Sequence, residues 1–218
     1  VSAQTLDIRS PDVAIFGPGA DHPRGPELAR ATGALLGRYV DEVVMAWGLC
    51  PFLHNKTTGL GAVGVVLEAT PSVEVSVAAV RALGSNVLHL CFPLSELTSS
   101  PFERFGNKLA EEVRRGPGER LVHATFHPEL VGGRENAYRL IGLLRQAPVA
   151  FIQFVPQGLM KGGTVLAGEE PAEGHAEARF TRLGSQDVDA IVTRLSELKE
   201  ETLALSELAA EIRASLRS

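Results

Sequence analysis

The sequence predicts an α/β fold of the α+β kind: a four-stranded sheet in a ferredoxin-like layered architecture, with an extra N-terminal helix and a long C-terminal helix. Three observations point there. Short runs rich in β-branched and aliphatic residues recur at 62–68, 86–92, 120–126 and 149–155. Helix-length segments at 71–83, 101–115 and 135–146 lie between them, and longer amphipathic segments flank the set at 26–47 and 185–216. Strands that alternate with helices imply layers of helix on sheet.

In chain order, residues 1–25 carry Pro11, Gly17-Pro18-Gly19 and Pro23, a density of turn formers that predicts an irregular arm. From Pro26, apolar residues return every three or four positions through Leu28, Ala31, Leu35, Leu36, Tyr39, Val43, Val44 and Trp47. This predicts a helix entered at proline and stopped at Gly48. The core domain is expected over 26–157. Within it Thr70 is a candidate cap for the 71–83 helix, and Ser99-Ser100-Pro101 is a start signal for the next. Residues 158–184, with Lys161-Gly162-Gly163 and Gly168-Glu169-Glu170-Pro171, have loop or lid composition. The last segment, 185–218, has no proline and an apolar stripe through Val188, Ile191, Val192, Leu195, Leu198, Leu203, Leu208 and Ile212. One long helix or two shorter ones satisfy it, and surplus apolar surface there would serve a homodimer.

Composition narrows the function classes. A net charge of −5 and a pI near 5.7 lack the basic face that nucleic-acid binding needs. No stretch reaches the roughly 18 consecutive apolar residues of a membrane helix, and the first residues lack the basic start and apolar middle of a signal peptide, so a cytoplasmic location is expected. Cys50 and Cys91 are too few for a disulfide framework and would be thiols in a reducing compartment. The expected partner is a small-molecule ligand.

Two stretches concentrate chemistry: Gly48-Leu49-Cys50-Pro51-Phe52-Leu53-His54 and His123-Ala124-Thr125-Phe126-His127-Pro128. Cys50 follows a predicted helix end on proline-stiffened backbone, with His54 near it in sequence. An imidazole neighbour would activate the thiol, whereas the negative end of the helix dipole would raise its pKa. A Cys-Pro pair is also the chemistry of haem thiolate ligation, which makes Cys50 and His54 candidate cofactor ligands. The period of two places His89 and Cys91 on one strand face, and His123, Thr125 and His127 on one face of another. Were those strands neighbours with the same faces forward, His89, Cys91, His123 and His127 would converge on a transition metal. On the segment before the fourth strand, Asn136, Tyr138, Arg139 and Arg145 are candidates for binding an anionic substrate, a guanidinium there gripping a carboxylate or phosphate with two donors. Each has an ordinary alternative, since buried cysteine acts as a small hydrophobe and helical arginine is commonly solvated.

Trp47-Gly48-Leu49-Cys50-Pro51-Phe52, then Phe92-Pro93, Phe102 to Asn107, Thr125-Phe126-His127-Pro128 and Leu143-Leu144-Arg145 come in an order that resembles an uncharacterised family. That family occurs in bacteria and plants and is known only as a domain of unknown function with Cys-Pro-Phe and Phe-His-Pro signatures. The resemblance spans roughly residues 35–155 and picks out Cys50, His127 and Arg145. It departs after His127, where family members have a longer asparagine-rich connection with an Arg-Ser-Pro-like segment. This chain has only 129–136 there, with Tyr138 as the counterpart it keeps. The resulting expectation is a small enzyme with Cys50 as nucleophile, His127 as base or orienting imidazole and Arg145 on the anionic group of a metabolite, performing thiol-dependent transfer or hydrolysis. The alternative is a haem- or metal-binding protein using the Cys and His ligands named above.

Overall fold

The computed structural model describes residues 13–49, 61–84, 87–118, 120–135, 137–157 and 182–217. Five strands form one mixed sheet: β1 (Val13–Phe16), β2 (Ala62–Val66), β3 (Leu88–Cys91), β4 (Leu121–Phe126) and β5 (Phe151–Pro156), in the spatial order β1-β2-β3-β5-β4. β1, β2 and β3 pair in parallel, and β5 runs antiparallel between β3 and β4. Among the described residues the α-helices are α1 (Gly25–Tyr39), continued by a π-helical segment (Val40–Met45), α2 (Val73–Leu83), α3 (Ser99–Arg115), α4 (Ala137–Leu144), α5 (Ser185–Glu200) and α6 (Thr202–Leu216). No helix among the described residues is long and apolar enough to cross a membrane.

The mixed α/β class is as the sequence implies, and the structure decides three details. The sheet has five strands rather than four, because Val13–Phe16, inside the segment expected to be an irregular arm, pairs with Val63–Val66. Of the two layered arrangements open to the sequence, helices on one face or on both, the structure has helices on both faces, giving three layers. The C-terminal stripe divides into two helices, α5 and α6. Residues 1–12 and all but the last three residues of the predicted lid, 158–181, lie outside the described residues.

Each sheet face reads directly from strand alternation. On one face Val63, Val65, Cys91, Phe151 and Val155 join Leu28, Leu36, Tyr39 and Val43 of α1 and its π continuation, with Ile191, Leu195 and Leu198 of α5 and Leu208 and Ile212 of α6. Of the C-terminal apolar stripe, Val188, Ile191, Leu195, Leu198, Leu208 and Ile212 are buried within the chain, whereas Leu203 is exposed. On the other face Val66, Leu88, Leu90, Ile152 and Phe154 meet Ala79 and Val80 of α2 and Phe102, Leu109 and Ala110 of α3. α2 starts at Ser72, not Thr70: the Ser72 hydroxyl accepts from the Val75 amide at 3.3 Å. It ends at Gly84, whose φ of 50° lets its amide return to the Val80 carbonyl.

α3 lies so close to β4 that a Cβ on Gly106 would stand 2.4 Å from the buried Thr125 Cγ2. Gly106→Ala gains about 1 kcal/mol of helix propensity. Overpacking costs roughly 1–3 kcal/mol, so net destabilisation is expected. Ser72→Ala is expected to cost about 1 kcal/mol through the lost cap. Urea unfolding midpoints check both, and a Gly106→Ala protein more stable than the parent would contradict the close approach.

Candidate functional site

The register Cys91↔Phe151↔Phe126 brings the carboxyl ends of β3 and β4 and the amino end of β5 to the same edge of the sheet. Crevices at the carboxyl ends of parallel strands are the usual ligand sites of open α/β sheets. A cavity of about 390 Å³ opens there, at the small end of the ligand-pocket range of roughly 300–1,000 Å³. One wall is the β3–α3 connection from Phe92 to Thr98, another is His127 to Glu129, and the floor is Pro148 to Ala150. The α5–α6 junction closes it with Lys199, Thr202, Ser206, Ala209 and Arg213.

His127 holds two walls together. Its Nε2 lies 2.9 Å from the Leu97 carbonyl, which can only accept, and its Nδ1 accepts the Glu129 amide at 3.1 Å. These partners fix the neutral tautomer with the proton on Nε2. The ring packs on Phe102, and the His127 amide donates to the Arg145 carbonyl at 3.1 Å. With both ring nitrogens bonded, His127 cross-links the two loops. Burial holds it below the ordinary histidine value, and does the same for His123.

Lys199 and Arg213 are the cations that line the cavity. Lys199 is half-buried, and its Nζ donates to Gln146 Oε1 at 3.2 Å. Gln146 is held in turn by its Nε2, which donates to the Leu130 carbonyl at 2.6 Å. Among the described residues no carboxylate pairs with Lys199, and burial lowers its pKa. Arg213 stands 3.8 Å from Glu96 on the opposite wall, and Glu96 also pairs with Arg217. α3 begins at this wall, and its cap residue Thr98 makes no side-chain bond to the first turn. The positive end of the helix dipole adds to the preference for an anion.

Of the other expected site residues, those that are described do not line this cavity. Cys50, His54 and Asn136 lie outside the described residues, as does the side chain of Tyr138. Arg145 places its guanidinium 5.8 Å from the centre of the Phe126 ring and is not part of the cavity wall. Arg139 sits 3.6 Å from Glu135 on the surface of α4. The metal cluster does not assemble, because β5 separates β3 from β4 and the two pairs face opposite sides of the sheet. His89 and Cys91 point to the α1 face, and His123 and Thr125 to the α3 face. His89 meets the Gln153 amide at 3.0 Å, His123 meets Asn107 Oδ1 at 3.1 Å, and complete burial pushes the Cys91 thiol up, away from the thiolate a metal needs. Among the described residues no group of three or more His, Cys, Asp or Glu side chains is placed to hold a metal ion.

Lys199, Gln146 and Arg213 were not among the sequence candidates. The signal for Lys199 was present, since it falls four residues after Leu195 and seven after Val192, on the stripe that goes inward. No protein-family model, curated protein or solved structure matches the chain.

Because the native state disfavours protonating His127 and His123, the unfolded chain takes up protons first. Stability is therefore complete above about pH 6.5 and is lost as the pH falls through the lower folded-state values. His127→Ala is expected to cost roughly 1–3 kcal/mol by stranding Leu97 O and the Glu129 amide, and to flatten this pH dependence. Unfolding midpoints of both proteins between pH 5 and pH 8 check it; equal slopes would show that His127 is not the group that titrates.

Proposed function

We propose that the protein is a small enzyme acting on a carboxylate- or phosphate-bearing metabolite, which it takes into the crevice at the carboxyl ends of β3 and β4. The observation that carries the binding half of this reading is Lys199, a half-buried ammonium in the cavity whose bonded partner is a neutral amide. A cation removed from water without a counter-charge is stabilised by an anion brought to it. Arg213 and the start of α3 act in the same sense. Glu96 and Glu129 on the facing walls disfavour a highly charged polyanion and select a small ligand of low charge.

The chemical half rests on sequence. Cys50 is the proposed nucleophile for thiol-dependent transfer or hydrolysis, following a predicted helix end as in the Cys-Pro-Phe family that the chain resembles, of which it would be a divergent member. His127 then serves by positioning the crevice walls, and the anion-binding role expected of Arg145 passes to Lys199 and Arg213.

Inorganic phosphate, compared with chloride at equal ionic strength, is expected to raise the melting temperature in proportion to the logarithm of its concentration above the dissociation constant. Lys199→Met should abolish that shift, and Cys50→Ser should keep it while eliminating any turnover found in a metabolite screen. A shift that survives Lys199→Met would place the anion elsewhere, and turnover that survives Cys50→Ser would remove the thiol from the reaction.

A further inference from the structure

We propose that Lys199 is also a nucleophilic amine, which captures a small carbonyl compound bearing a carboxylate, an α-keto acid or its aldehyde analogue, as an imine inside the crevice. The proposal rests on the binding half of the reading above and is independent of Cys50.

An amine attacks carbonyl carbon only with its lone pair free, so its partners decide whether it is a nucleophile or a fixed charge. A carboxylate partner would stabilise the ammonium and hold the proton. Lys199 instead donates to the carbonyl oxygen of Gln146, a neutral acceptor that an N–H satisfies in either protonation state. The orientation of that amide is fixed, because its NH₂ end is committed to the Leu130 carbonyl at 2.6 Å. Half-burial between α5, α6 and the Pro148 to Ala150 floor further favours the uncharged amine. Lys108, on the exposed side of α3, has no such enclosure.

The step balances within these groups. Lysine ammonium loses a proton, its lone pair forms a C–N bond to the carbonyl carbon, and the C=O pair moves to oxygen, which is protonated. Loss of that oxygen as water leaves a protonated imine, so ammonium plus carbonyl gives iminium plus water with the positive charge conserved. The charge stays next to the ligand's carboxylate, within the same crevice as Arg213 and the first turn of α3. A pocket of about 390 Å³ has ample room for a small keto acid beside these groups.

Full-length protein treated with glyoxylate and sodium cyanoborohydride tests this, with the carboxymethyl adduct located by peptide mapping. Lys199 is expected to label severalfold faster than Lys108, and inorganic phosphate should slow it. Gln146→Glu, which gives the amine a carboxylate partner, should suppress labelling at Lys199. Lys199→Arg keeps the charge, so it should lose the adduct while retaining the phosphate-induced rise in melting temperature. Equal labelling of Lys108 and Lys199 with an intact phosphate response overturns the imine and leaves anion binding standing. Loss of the phosphate response in the parent protein overturns the binding reading itself.

Discussion

β5 pairs antiparallel with β3 along one side and with β4 along the other, and this placement determines where the connecting loops of all three strands meet. At the same edge Phe126 and Phe151 stack with ring centres 4.2 Å apart, and Tyr39 of α1 sets its edge against both. Each such contact contributes about 0.5–1.5 kcal/mol beyond burial. The Tyr39 hydroxyl donates to the Leu144 carbonyl at 2.6 Å, so the end of α4 is tied to the same row. The crevice lies directly beyond these rings, on a base that cannot shift without disturbing the core.

Above that base the walls are loops, and loops leave backbone groups to satisfy. His127 and Gln146 do this from side chains: one bonds Leu97 and Glu129, the other bonds Leu130 and orients Lys199. Position and chemistry are thus joined in a short chain of contacts from strand end to loop to amine. The ion pairs Arg24 with Glu211 of α6 and Arg38 of α1 with Glu201 at the α5–α6 junction add little by comparison, because Arg24, Glu211 and Glu201 are exposed and Arg38 is only partly buried.

Strand and helix spans inside the core were legible from apolar periodicity because local pattern determines them. β1 was not: Val13-Ala14-Ile15-Phe16 is too short to show a period of two, and Gly17-Pro18-Gly19 follows at once. Nor was the assignment of helices to faces. A uniform hand for crossovers that step in one direction would put α1, α2 and α3 on one side, whereas α1 packs opposite the other two. Alternation correctly paired His89 with Cys91 and His123 with Thr125, but whether the pairs share a face depends on strand order, which no local pattern contains. The place of His127 in the site was readable from its proline-fixed turn. Its engagement at both nitrogens was not, since Leu97 is thirty residues away in sequence.

α6 presents Leu208 and Ile212 to the core and Ser206 and Arg213 to the crevice, so one helix is at once structural filler and pocket wall. Detachment of α6 and opening of the cavity are accordingly one event seen from two sides. Occupancy is therefore coupled to the resistance of α6 to endoproteolytic cleavage, a signal that needs no knowledge of the reaction.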